Sequence, residues 1–301
     1  MSDIILNFDR ICKSFFGVPV LKEITLEIPR GHVVGLIGEN GAGKSTLMNI
    51  LGGVVLPDAG GMTLDGKEYQ PRNPEQAAEA GIAFIHQELN LFTNLSIAEN
   101  FFISNFPTLG ALPLLDRRKI QAQAKEFLAL VNLKVSPDTL VEALSPGERQ
   151  LVEVAKALSQ DARIIIFDEP TTSLTARETE RLFDLIGTLK AAGKTVIYIS
   201  HILRDVMQLT DDVAILRDGE LVQSGPCCEY SIQKMISMMV GRDIDQLYPD
   251  RVGARTDEPA LVLSNVSRSG LVHDINFTLH RGEILGVFGL MGSGRSELAQ
   301  I

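Results

Sequence analysis

Nine consecutive residues, Gly38-Glu39-Asn40-Gly41-Ala42-Gly43-Lys44-Ser45-Thr46, have the types and spacing of a phosphate cradle. They satisfy G-x-x-x-x-G-K-[ST], whose glycines let the backbone curl until successive N–H groups converge on one anion. Gly38, Asn40, Gly41 and Gly43 line the bend, and Thr46 follows it into a helix. That helix would add about half a positive charge at its N-terminus. Lys44 is placed to reach the β- and γ-phosphates of a nucleotide, and the Ser45 hydroxyl to ligate Mg²⁺. A second run, Arg163-Ile164-Ile165-Ile166-Phe167-Asp168-Glu169, ends an apolar strand on two carboxylates. If the C-terminal edge of that strand faces the cradle, Asp168 would hold Mg²⁺ through water and Glu169 would polarise an attacking water as general base. The bland alternatives are a structural glycine turn and a solvated acidic turn.

The elements that must position these residues follow from hydrophobic period. Short strands are expected at Ile4–Phe8, Ile24–Ile28, Val33–Ile37 and Met62–Leu64, the last closed by the Asp65-Gly66 turn. Helical period runs from Arg117 to Val131 and from Glu148 to Leu158; Leu182, Leu185, Ile186 and Leu189 mark a third helix, stopped by Gly193. Arg163–Phe167 and Thr195–Ile199 are apolar runs too short for helices and read as buried strands. Val213–Leu216 and Leu221–Gln223, joined through Asp218-Gly219, read as a hairpin. Buried strands alternating with helices after an antiparallel start imply an α/β core beside a small β layer.

Bulk properties narrow the field. An apolar fraction of 45% supports a core, and 301 residues suggest one large domain with an appendage, or two domains. The net charge of −10 (28 basic against 38 acidic residues), with no Lys/Arg-rich block, argues against a nucleic-acid or polybasic membrane surface. Three cysteines, two of them adjacent, form neither a disulfide framework nor a metal spacing. No signal pattern opens the chain and no eighteen apolar residues run together, so a cytoplasmic location is expected, with any membrane link made through a partner.

Leu144-Ser145-Pro146-Gly147-Glu148, placed between the cradle and the Asp168-Glu169 strand end, resembles the LSGGQ signature of ABC ATPases. As plain chemistry it is also a helix start: Ser145 as N-cap, Pro146 at the first helical position and Glu148 completing a capping box. The resemblance implies an α/β P-loop NTPase (ABC ATPase) core with an antiparallel β subdomain and a helical signature subdomain. It implies ATP and Mg²⁺ as cofactors, with Ser145 and Gly147 contacting ATP held by a partner domain. Pro146 and Glu148 depart from the common signature. Gln87 resembles the family's Q-loop glutamine, which touches Mg²⁺ or the attacking water, and His201 the switch histidine. Phe15 matches the aromatic that stacks on adenine, although Phe16 is equally placed by sequence.

Longer stretches resemble the tandem ATPases of simple-sugar importers: His86–Phe102, Leu151–Ser159, Glu169–Thr175 and Met238–Asp250. Around Arg242–Pro259 the pattern dissolves into charge, Pro and Gly, after which the beginning repeats. The stretch ending at Gly289 echoes the one ending at Gly38, and Arg295 stands at the place of Lys44, a shift of 251 (295 − 44). The expected division is 1–241 as a first nucleotide-binding domain, 242–259 as linker and 260–301 as the incomplete start of a second. The second loop carries Arg295 and Glu297 where the first has Lys44 and Thr46, and arginine does not substitute freely for the ammonium. The resemblance implies an ATPase subunit powering monosaccharide import from the cytoplasmic face of the membrane. Its partners would be transmembrane permease subunits, a second nucleotide-binding domain and, indirectly, a periplasmic or extracellular sugar-binding protein. Two alternatives stay open: a truncated non-catalytic or regulatory remnant, and a soluble non-transport ABC ATPase.

Overall fold

β1 (Ile4–Phe15) and β2 (Val18–Pro29) form a long hairpin; alternate residues from Ile24 to Ile28 of β2 are buried, the pattern of a strand covered on one face, while β1 departs from strict alternation where its register shifts. β3 (Val33–Ile37) is instead buried at every position, as a strand covered on both faces must be. α1 (Lys44–Leu51) follows the phosphate loop. β4 (Ala59–Leu64) and β5 (Lys67–Glu68) complete an antiparallel sheet of order β2-β1-β4-β5. The computed structural model describes residues 3–85, 90–103, 106–108, 114–159, 162–171, 174, 176–241, 256–289 and 293–301. Gln87 lies outside the described residues, as does most of the expected linker.

After α2 (Pro74–Glu79) and β6 (Ile82–Ile85) come three helices: α3 (Ile97–Phe102), α4 (Arg117–Leu130) and α5 (Pro146–Ser159). These pack on one another as a helical cluster. Ser96 and Glu99 close a reciprocal capping box at the start of α3, a start the periodicity reading passed over. β7 (Ile164–Asp168), α6 (Ala176–Ala191), β8 (Thr195–Ile199), α7 (Leu203–Leu209), β9 (Asp212–Arg217), β10 (Glu220–Pro226) and α8 (Ile232–Val240) follow. The central sheet has the order β10-β9-β3-β8-β7-β6, parallel except for the edge strand β10.

Alternation along the central strands divides the core in two. Val33, Ile37, Ile165, Phe167, Val196, Tyr198, Val213 and Ile215 face the helices α3 to α8. Val34, Leu36, Ile164, Ile166, Ile197, Ile199, Ala214 and Leu216 face α1 and the antiparallel sheet. A slip of one residue in any strand would exchange the two faces, so this pattern fixes the register.

The chain divides into two compact units, Met1–Asp243 and Ile244–Ile301. The second contains the hairpin β11 (Pro259–Arg268) and β12 (Val272–His280), then α9 (Arg295–Ala299). Thr256 and Glu258 already bond to Arg281 through the main chain, so the hairpin's ladder reaches into the stretch read as linker.

Candidate nucleotide site

Register across the central sheet brings the two chemical motifs together. Leu36 pairs with Ile199, and Ile199 with Asp168, so β3, β8 and β7 end side by side. At a strand spacing of about 4.8 Å, Asp168 and Leu36 stand two spacings apart. The phosphate loop leaves β3 at this edge, His201 lies two residues beyond Ile199, and Glu169 directly follows Asp168.

The loop is shaped by glycine where only glycine fits. Gly41 and Gly43 have φ of 85° and 104°, and Gly43 caps α1. A Cβ on Gly43 would lie 2.6 Å from Leu21 Cδ2 and 3.1 Å from Val20 O, while one on Gly38 would strike the carbonyl of Leu216. The loop is therefore clamped between β2 and β9. Gly219, in the β9–β10 turn, donates its N–H to Ala42 O at 3.2 Å and accepts from Lys22 N at 2.8 Å. The sequence displayed the Asp218-Gly219 hairpin but not its contact with the loop, because that contact is non-local.

Lys44 is 6% exposed, and its Nζ donates to the carbonyls of Gly38 at 2.8 Å and Glu39 at 3.0 Å. Burial pulls its pKa down, opposed by the negative charges of Glu169 and Asp168. Those charges reach the lysine because the strand ends converge. Ser45 is exposed and Thr46 half-buried on the first turn of α1; Glu39 and Asn40 are exposed on the loop.

Glu169 has φ 48°, a left-handed conformation that costs a non-glycine residue about 1–2 kcal/mol. Its N–H donates to Ile199 O at 3.0 Å, and its Oε1 lies 3.1 Å from His201 Nδ1. An imidazole protonated at Nδ1 donates to that carboxylate and holds it at the sheet edge. Glu169 is half-buried and His201 exposed. Strand register thus gathers Lys44, Asp168, Glu169 and His201 into one place.

Ser145 and Gly147 lie elsewhere. The Ser145 N–H donates to Glu148 Oε2 at 2.9 Å, and the Glu148 N–H returns to Ser145 Oγ at 3.3 Å, so the capping box forms as read. Gly147 is buried, and a Cβ on it would meet the Glu178 carboxylate, the movable end of a side chain. With Gln150 and Leu182 these residues line a cavity of about 150 Å³ between α5 and α6. Phe15 is 39% exposed and Phe16 fully so, at the tip of the β1–β2 hairpin. The Lys13 ammonium stands 5.5 Å from the Phe15 ring centroid.

A parallel α/β sheet whose glycine-rich loop and acidic strand end share one edge defines a phosphate-loop nucleotide-binding fold. The family model described as ABC transporter matches residues 21–172, from β2 through the phosphate loop and Asp168-Glu169. The chain belongs to the ABC transporter family.

Similar proteins agree. A Burkholderia cenocepacia protein named for ribose/galactose/methyl galactoside import and ATP binding is 45% identical over 98% of this chain and 57% of its own length. The galactose/methyl galactoside import ATP-binding protein MglA of Treponema denticola is 41% identical over 100% of this chain and 60% of its own. The ribose import ATP-binding protein RbsA of Bacillus cereus is 43% identical over 97% and 59%. The chain thus spans between 57% and 60% of the length of these relatives. Among solved structures, a nucleotide-free ATP-binding cassette of an ABC transporter is similar with a TM-score of 0.67 and 26% identity, covering 74% of this chain and 91% of that one. The cassette MJ0796, in a dimeric post-hydrolysis state bound to ADP and Pi, gives a TM-score of 0.64 at 25% identity, over 74% and 99%.

Proposed function

We propose that this chain binds ATP at the β3–α1 loop and hydrolyses it, and that the hydrolysis powers import of a monosaccharide or related small carbohydrate through an ABC transporter. The observation that carries the reading is the convergence of the phosphate loop with Asp168, Glu169 and His201 at one sheet edge. The names of the relatives supply the sugar-import context.

In this reading Lys44 leaves the Gly38 and Glu39 carbonyls to meet the β- and γ-phosphates, and backbone N–H groups of the loop hold the β-phosphate. The substrate is the magnesium complex of ATP. Ser45 and Asp168 are hard oxygen donors suited to Mg²⁺, which takes few protein ligands and completes its shell with phosphate and water. Glu169 accepts a proton from the attacking water, and His201, paired with it, faces the γ-phosphate. Gln87 would contribute to the same ion or water. Phe15 would stack on adenine.

Ser145 and Gly147 would serve a nucleotide held by a second nucleotide-binding domain, so that two domains close around each ATP. Transmembrane permease subunits would receive the work and a sugar-binding protein would deliver the cargo. Among the described residues no helix is long and apolar enough to cross a membrane, in keeping with a peripheral subunit on the cytoplasmic face. Glu169→Gln tests the assignment: it should preserve MgATP affinity while phosphate release falls by about a hundredfold or more, the usual scale for a lost general base. Sustained phosphate release from this variant would remove Glu169 from the role.

A further inference from the structure

The β1–β2 hairpin outlasts the strand on its other side. β4 begins at Ala59, opposite Cys12, and beyond that point Lys13, Ser14 and Phe15 pair only with β2 among the described residues. Asp58, the residue immediately before β4, occupies the gap. Its N–H donates to Cys12 O at 2.9 Å, its Oδ2 accepts from Ser14 N at 2.7 Å, and its Oδ1 accepts from Lys13 Nζ at 2.7 Å. One carboxylate thus replaces the missing main chain for Ser14 and fixes the lysine. The lysine side chain is only 15% exposed, although the carboxylate is 47% exposed. The Lys13 ammonium and the Ser14 N–H hold the Asp58 carboxyl below the usual carboxylate range.

The strand end fixed in this way carries Phe15, with the Lys13 ammonium 5.5 Å from its ring centroid, inside the range of a cation–π contact. Phe15 pairs with Val18, and Val20 packs its carbonyl against Gly43 of the phosphate loop. The aromatic therefore stands on the same hairpin that clamps the cradle. We propose that Asp58 is a positioning residue for nucleotide recognition: it holds Lys13 and Ser14 so that the Phe15 ring presents a fixed face to the base. The proposal rests on the reading of the loop as an ATP site with Phe15 as its stacking partner. An ion pair whose carboxylate is 47% exposed adds little to stability by itself, so its consequence falls on base recognition.

The test measures, by calorimetric titration, the affinities of MgATP and of magnesium tripolyphosphate, which has the phosphates without the base. Wild type, Phe15→Ala, Asp58→Ala and Asp58→Asn are compared. Phe15→Ala should lower the ratio of ATP to tripolyphosphate affinity by about tenfold, the size of a lost base–aromatic stack. Asp58→Ala should lower the same ratio by about three- to tenfold with tripolyphosphate affinity unchanged. Asp58→Asn, which keeps an accepting oxygen for Ser14, should fall between Asp58→Ala and wild type. A wild-type ratio in Asp58→Ala beside a reduced one in Phe15→Ala would overturn the proposal and leave the stacking intact. An unchanged ratio in Phe15→Ala would remove the stacking reading itself. Equal loss of both ligands in Asp58→Ala would show a collapsed loop and overturn the positioning role.

Discussion

Gly41 and Gly43 form a matched pair that isolates what the clamp around the phosphate loop contributes. Both are left-handed, with φ of 85° and 104°, so alanine at either position meets backbone strain of about 1–2 kcal/mol. They differ in surroundings. A Cβ on Gly41 would meet nothing within 4 Å, whereas one on Gly43 would lie 2.6 Å from Leu21 Cδ2 and 3.1 Å from Val20 O. The second contact is with main chain and cannot rotate away, so Gly43→Ala adds an overpacking penalty of about 1–3 kcal/mol. Gly41→Ala should therefore cost about 1–2 kcal/mol and Gly43→Ala about 2–5. Urea unfolding followed by far-ultraviolet circular dichroism measures both. For a unit of this size each kcal/mol should also lower the Tm by about 2–4 °C. Equal losses in the two variants would refute the packing of the β2 hairpin against the loop.

Three further outcomes follow from the same geometry. Lys44→Ala removes the ammonium poised over the loop carbonyls and should weaken MgATP by at least about tenfold in titration; unchanged affinity would refute the cradle. Glu153 is 5% exposed, its Oε2 has no hydrogen-bond partner among the described residues, and burial raises its pKa, Lys156 opposing. A raised folded pKa means that stability is fully present below the ordinary value of 4.5 and is lost as pH rises through the folded pKa. Glu153→Gln should thus raise stability by about 1–2 kcal/mol at pH 7, a gain that shrinks as pH falls through the raised pKa toward 4.5, read from melting curves; a pH-independent difference would contradict the buried-charge account. If Ser145 and Gly147 serve a nucleotide held by a second domain, as proposed, ATPase activity per molecule should rise with protein concentration as chains pair. A constant specific activity equal to that of a two-domain protein would contradict the shared site.

Much of this site could be read from residue types because its parts are local. The phosphate loop, the capping box of Ser145 and Glu148, and the strand ending on Asp168-Glu169 each carry their geometry within a few residues. What pattern did not yield depends on distant segments. β1 and β2 run to Phe15 and from Val18, well beyond the expected Ile4–Phe8 and Ile24–Ile28, because they pair with each other through register shifts that break the alternation. The contact of Gly219 with Ala42, and the reach of Asp58 across to Lys13 and Ser14, join segments far apart in the chain. Neither leaves a periodic trace. The left-handed backbone of Glu169 is likewise imposed from outside, by its bond to Ile199 O and the pull of His201.

The internal repeat separates the two kinds of information within one molecule. At the shift of 251 residues seen in the sequence, the second unit reproduces backbone details of the first. Glu23 and Asp274 have φ of 50°, Gly31 and Gly282 of 71° and 74°, Gly43 and Gly294 of 104° and 84°. Behind Gly294 stand Val272 and the Leu271 carbonyl, the counterparts of Leu21 and Val20 behind Gly43. Turn and loop geometry therefore travels with the local sequence. The strand does not. Ile284–Phe288 corresponds to β3, yet Ile284 is 99% and Phe288 96% exposed, and neither belongs to a described strand. β3 is a buried strand because β8 and β9 flank it, supplied by chain some 160 to 180 residues downstream. Arg295 is exposed where Lys44 is buried between the ends of β3 and its neighbours. The loop is written locally, but the site is made by the sheet.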